Sequence, residues 1–159
     1  MAQLLRTRLL EVVTEARDAE LESRASGAAV AQEDAWSFVP PSHFMGKAML
    51  SVYPPGSVGF ATHTDTAATD DLRKLSVVYY LNKDWEEGYG GELVLNPGHA
   101  GDEARIMPAM DQLVLFWSDR TNHTVRPTDP AAPPRKALSF WYLQDPSVSP
   151  TPPLGLGDQ

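Results

Sequence analysis

From Gly46 onward the chain consists of short β-branched and aromatic runs, each cut off by Gly, Pro, Asp or Asn. Apolar runs this short suit strands, and the punctuation between them supplies turns. The pattern predicts strands near Ala48 to Tyr53, Gly59 to His63, Leu75 to Leu81, Glu92 to Leu95, Arg105 to Met107, Gln112 to Phe116, Thr124 to Arg126 and Ala137 to Leu143. Short strands at this spacing build a sandwich or barrel. Leu75 to Leu81 and Ala137 to Leu143 are apolar at almost every position, so both faces should be buried and both strands should sit centrally. Ser76 and Ser139, the polar members of those runs, then need partners inside. Pro54-Pro55-Gly56, Gly90-Gly91 and Asn96-Pro97-Gly98 read as turns, because proline presets φ and glycine accepts positive φ.

Before Gly46 the pattern is different. Leu5, Leu9, Val12, Val13, Ala16 and Ala19 recur at steps of three and four between Gln3 and Arg24, which predicts an amphipathic helix. Trp36, Phe38 and Val39 alternate briefly before Pro40-Pro41, a short edge strand. The last segment, Asp145 to Gln159, holds four prolines and few large apolar groups, the composition of a disordered tail. The expected organisation is residues 1–45 as a helix and connecting loop supporting the core, 46–145 as the β core, and 146–159 as the Pro-rich tail.

Composition narrows the function classes. A chain of 159 residues with 42% hydrophobic content can bury the core of one domain. Without a cysteine, disulfide scaffolds, Cys-rich zinc sites and thiol catalysis are excluded. Thirteen Lys and Arg against 21 Asp and Glu leave a net charge of −8, and no basic stripe is present, so no nucleic-acid partner is expected. No apolar run approaches the ~20 residues of a bilayer span. Arg6 and Arg8 interrupt the apolar start, unlike a secretory signal, so neither a membrane association nor export is expected, and the expected location is the cytoplasm.

The four histidines divide into two kinds. His43 and His99 lie in loop settings that predict solvated surface residues. His63 closes a strand in His63-Thr64-Asp65, and side chains two apart on a strand share a face, so one imidazole and one carboxylate project together. His123 opens a later strand that a barrel or jelly roll can bring beside them. Two imidazoles and a carboxylate on one face of an octahedral ion are the arrangement of non-haem iron(II) oxygenases. The bland reading stays open: a strand-end Asp accepting turn hydrogen bonds beside an exposed His. Arg135 likewise has two readings. At the head of a buried strand its planar guanidinium would grip a small dicarboxylate, with the Tyr80 phenol on the same anion; following Pro133-Pro134, it would instead be a solvated loop residue pairing with Asp129 or Asp145.

Longer blocks carry a resemblance. Gly46-Lys47-Ala48-Met49, Tyr53-Pro54-Pro55-Gly56, His63-Thr64-Asp65, Tyr79-Tyr80-Leu81-Asn82-Lys83-Asp84-Trp85, Gly90-Gly91-Glu92-Leu93, Leu115-Phe116-Trp117-Ser118-Asp119-Arg120, His123, and Arg135 with Trp141-Tyr142 follow one another over about Gly46 to Asp145. In this order they resemble the 2-oxoglutarate and iron(II)-dependent dioxygenases of the prolyl 4-hydroxylase superfamily, the oxygen-sensing type above all. The resemblance implies a double-stranded β-helix, that is a cupin-like jelly roll, with an N-terminal packing helix.

It further implies that His63, Asp65 and His123 hold iron(II), and that Arg135 and Tyr80 hold the C5 carboxylate of 2-oxoglutarate with Tyr53 near its other end. Leu93 and Val125 would wall the cosubstrate pocket, and Arg73 and Trp141 would border the substrate. Met107, Leu113 and Phe140 carry no such role and should be core. The implied reaction uses dioxygen, with ascorbate as a supporting reductant, to hydroxylate an unactivated C–H bond while 2-oxoglutarate gives succinate and carbon dioxide. The implied substrate is a prolyl residue in a peptide or protein. Because only Gly27 to Phe38 remains as a substrate-covering segment, the alternative is the same chemistry on a free amino acid or other small molecule. A catalytically silent jelly-roll binding protein is the third reading, and it predicts damage at the triad or at Arg135 that the sequence does not show.

Overall fold

The computed structural model describes residues 48–66, 71–99 and 101–143. The predicted helix of Gln3 to Arg24, the edge strand at Trp36 to Val39 and the tail lie outside the described residues. Among the described residues eight strands follow in order: β1 (Met49–Tyr53), β2 (Phe60–His63), β3 (Arg73–Tyr80), β4 (Leu93–Leu95), β5 (Ala104–Ile106), β6 (Leu113–Trp117), β7 (His123–Val125) and β8 (Arg135–Leu143). Each of the eight strands predicted after Gly46 is present, with ends moved by one or two residues.

The strands form two four-stranded antiparallel sheets, ordered β1-β8-β3-β6 and β2-β7-β4-β5. Apart from β4 and β5, which form a hairpin within the second sheet, consecutive strands alternate between the two sheets, as in a jelly roll. The two long apolar runs, β3 and β8, are neighbours at the centre of the first sheet, where each has a partner on both edges. Val77 and Tyr80 in β3 are fully buried, as are Ala137 and Phe140 in β8. Tyr80, Leu93, Val114, Phe116 and Ala137 form one apolar cluster, fed by strands of both sheets. Phe140 is core as expected and Leu113 is half-buried, but Met107 is 37% exposed. It directly follows β5, which is an edge strand with a partner on one side only, so little chain is available to cover it.

Pairing of β2 with β7 is irregular. Phe60 faces Val125 and His63 faces His123, so three steps along β2 match two along β7. That extra residue is a β-bulge, a device that re-aims a side chain. Here it sets the His63 and His123 rings 4.2 Å apart, centroid to centroid. Gly59 enters this pairing with φ +80°, and a Cβ there would lie 2.1 Å from the Val125 carbonyl oxygen. Gly59→Ala is therefore expected to cost about 2–4 kcal/mol, from backbone strain and from displacement of β7. A chemical denaturation midpoint checks this, and a loss under 0.5 kcal/mol would contradict the packing.

Candidate active site

A cavity of about 110 Å³ opens between the two sheets. That is several times the ~10–15 Å³ needed for one water. His63, Asp65 and His123 line one part of it, and their ligand atoms all lie within 4.8 Å of one another. His63 Nε2 is 3.5 Å and His123 Nε2 is 3.7 Å from Asp65 Oδ1. These separations are too long for hydrogen bonds and suit three donors around one shared ion.

The tautomers are set by the backbone. His63 Nδ1 lies 2.9 Å from the Ala61 carbonyl and His123 Nδ1 lies 3.1 Å from the Thr121 carbonyl. A carbonyl only accepts, so each Nδ1 carries the proton and donates, and each Nε2 turns a bare lone pair toward Asp65. Burial pushes the His123 imidazole below its ordinary pKa, against the pull of Asp65, which favours the neutral, ligating form. Asp65 Oδ2 accepts from the Trp141 indole, Nε1 to Oδ2 2.9 Å, and from the Ser76 hydroxyl. Oδ1 is left facing the two imidazoles.

Arg135 lines another part of the same cavity and is 2% exposed, which removes the reading of it as a solvated loop residue. It pairs with Tyr53 of β1 in the strand register and is the diagonal neighbour of Tyr80, two residues along β8 from Ala137, the partner of Tyr80. The guanidinium carbon lies 5.2 Å from the Tyr53 ring centroid and 5.1 Å from that of Tyr80, between two aromatic faces. Its Nε donates to the Gly91 carbonyl at 2.7 Å, and among the described residues no carboxylate pairs with it. Burial lowers the Arg135 pKa and raises the Tyr80 phenol to about 12, although the nearby guanidinium draws Tyr80 back. The Tyr80 hydroxyl is enclosed yet makes no hydrogen bond of ordinary geometry. A buried cation and a buried phenolic donor without an anion between them fit a ligand carboxylate.

The model of the 2OG-Fe(II) oxygenase superfamily matches residues 48–143, more than half of the chain. The chain belongs to the 2OG-Fe(II) oxygenase superfamily. Members of this superfamily use iron(II), 2-oxoglutarate and dioxygen. Egl nine homolog 1 of Rattus norvegicus is 41% identical over 99 residues, which are 61% of this chain and 28% of that protein. The chain thus matches little more than a quarter of that relative. A solved prolyl hydroxylase from Trichoplax adhaerens, in complex with a hypoxia inducible factor oxygen degradation domain peptide fragment, is 33% identical with a TM-score of 0.58, covering 69% of this chain and 48% of that one. A Pseudomonas putida prolyl-4-hydroxylase is 32% identical with a TM-score of 0.55, covering 61% and 51%.

In this 2OG-Fe(II) oxygenase the donor set fits the metal: two imidazoles and one carboxylate converge on one point, with cavity beside them. Of the residues singled out in the sequence, His63, Asp65, His123, Arg135, Tyr80, Tyr53, Leu93, Val125 and Trp141 all line the cavity. Arg73 does not. Its guanidinium is gripped by Asp71 and stacks over the Trp141 ring at 5.4 Å, so its charge is already matched. Trp141 touches Asp65 as well as bordering the cavity. Sequence reading missed Ser51, Phe60, Ser76 and Phe116 among the lining side chains. Ser76 was legible only as a buried hydroxyl in need of a partner.

Proposed function

We propose that this chain is an iron(II)- and 2-oxoglutarate-dependent dioxygenase that hydroxylates a prolyl residue of a peptide or protein. The observation that carries the reading is the placement of the His63, Asp65 and His123 donors and the buried, anion-seeking Arg135 in one cavity. His63 Nε2, His123 Nε2 and Asp65 Oδ1 would hold the metal. When bound, the metal and 2-oxoglutarate supply oxidation of a C–H bond by dioxygen, with succinate and carbon dioxide as coproducts. Arg135 and Tyr80 would fix the far carboxylate of 2-oxoglutarate, and Tyr53 packs on the guanidinium that does so. Leu93 and Val125 wall the cosubstrate's space with apolar surface and keep water out. Met49 and Phe60 line the cavity while remaining about half exposed, which offers an apolar rim to a substrate ring.

The prolyl reading is supported by relatives whose names state prolyl hydroxylase and by one solved with a peptide fragment. Among the described residues no helix is long and apolar enough to cross a membrane. Residues 1–45 we read as support for the core. Leu75, Phe140 and Tyr142 alternate with the cavity-facing positions of β3 and β8, and all three are buried on the other face of that sheet. Succinate release against proline-containing peptides and against free amino acids tests the substrate class. The reading expects turnover above the uncoupled background with peptides; turnover with free amino acids alone would move the substrate to the small-molecule class.

A further inference from the structure

Behind Asp65, on the side away from the histidines, lies a chain of buried hydroxyls that the donor set does not include. Ser76 and Ser118 are 1% and 0% exposed, and their Oγ atoms are 2.8 Å apart. Proton counting fixes the direction of this chain. The Asp65 carboxylate only accepts, so Ser76 spends its single hydroxyl proton on Oδ2; Ser118 must then donate to Ser76. The polarised order is Ser118 to Ser76 to Asp65, in which each bond strengthens the next.

The backbone fixes both ends of this chain. Ser76 is held in the centre of its sheet by Phe116 on one side and Trp141 on the other. Ser118 donates its N–H to the Lys74 carbonyl at 2.9 Å, and its own carbonyl accepts the Thr66 N–H at 3.0 Å. Thr66 is the residue after Asp65, so Ser118 grips the metal-facing segment through its backbone and the Asp65 carboxylate through Ser76. Thr66 Oγ1 adds a bond to the Arg73 carbonyl at 2.6 Å.

We infer that Ser76, oriented by Ser118, is a positioning residue that occupies Asp65 Oδ2 and leaves Oδ1 alone to face the metal; this rests on the reading of the three residues as the metal site. The consequence is chemical. A carboxylate with one oxygen saturated by two donors, Ser76 and Trp141, ligates through one atom. Held this way, Asp65 would offer the metal a single oxygen beside the two imidazoles and leave room there for the cosubstrate. A carboxylate free to use both oxygens would take up some of that room.

The test compares Ser76→Ala, Ser118→Ala and Ser76→Thr with the unmodified full chain. Anaerobic calorimetric titration with Mn(II) reports metal binding without turnover, and the melting temperature of each metal-free variant reports folding. Loss of an outer partner of a metal ligand typically costs 10–100-fold in affinity. Ser76→Ala is expected to shift Mn(II) affinity, or the affinity for 2-oxoglutarate measured on the Mn(II) form, by at least tenfold. Ser118→Ala is expected to shift it in the same direction by less, and Ser76→Thr, which keeps the hydroxyl, to stay within threefold of the unmodified chain. The inference is overturned if Ser76→Ala and Ser118→Ala both bind Mn(II) and 2-oxoglutarate like the unmodified chain. It is equally overturned if Ser76→Thr fails as badly as Ser76→Ala while all melt alike. Should Ser76→Ala not fold, Ser118→Ala decides by the same criterion. A His63→Ala control separates the two levels: if it too binds Mn(II) normally, the metal site itself is misassigned.

Discussion

Replacing His123 with alanine is expected to abolish metal binding and turnover together. The effect should exceed 100-fold, because removal of a ligand costs more than the 10–100-fold loss typical of an outer-shell partner. The geometry gives no substitute. His123 is 6% exposed, packed between the Phe116 ring at 4.6 Å and the His63 ring at 4.2 Å, and its Nε2 is one of only three ligand atoms gathered there among the described residues. Alanine leaves a hole that a water could enter, but a water is not tethered to the chain as the imidazole donor is. The metal-free protein should still fold, at a cost of about 1–3 kcal/mol from the lost packing. Metal titration with a melting curve of the metal-free variant separates the two effects. Full metal affinity in a folded His123→Ala variant would remove this residue from the site.

Arg135→Met is expected to leave metal binding intact and to weaken 2-oxoglutarate selectively. Truncating one partner of a buried charge pair typically costs 2–5 kcal/mol. At 1.4 kcal/mol per tenfold this is roughly a 30-fold to several-thousand-fold rise in the Kd for 2-oxoglutarate. The opposite expectation holds for stability. Among the described residues no carboxylate meets the buried Arg135 charge, a costly state that is offset by two aromatic faces and one bond to the Gly91 carbonyl. Methionine gives up those contacts and also the burial cost, so the melting point of the ligand-free variant should change little. A variant that binds 2-oxoglutarate normally but loses metal would show that Arg135 acts on the ligands and not on the cosubstrate.

How much of this was legible in the sequence depends on the range of the signal. His63 and Asp65 are two residues apart in sequence, which suggested one shared face; β2 ends at His63 and Asp65 stands in the bend after it, yet Asp65 Oδ1 comes within 3.5 Å of His63 Nε2. Their union with His123 depends on β2 pairing with β7 and on a bulge between Phe60 and His63, which no local pattern marks. Arg135 carried a visible question, since a cation at the head of an apolar strand must either leave the core or meet an anion. Burial answered it. Arg73 pairs with Asp71, two residues away in sequence, and does not line the cavity; the resemblance that singled it out carries no information about that local partner. Ser76 announced a missing partner, but its partner is 11 residues away in sequence and on another element. Met107 was assigned to the core from hydrophobicity, which carries no information about the strand's place at a sheet edge.

The central claim is that one cavity holds both the metal and 2-oxoglutarate in adjoining places. Anaerobic addition of iron(II) and 2-oxoglutarate to the full chain tests it most directly, by absorption spectroscopy. A weak visible charge-transfer band that requires both additions, and that vanishes in His123→Ala, is the predicted result. No band from protein shown by titration to bind iron(II) and 2-oxoglutarate separately would contradict the account.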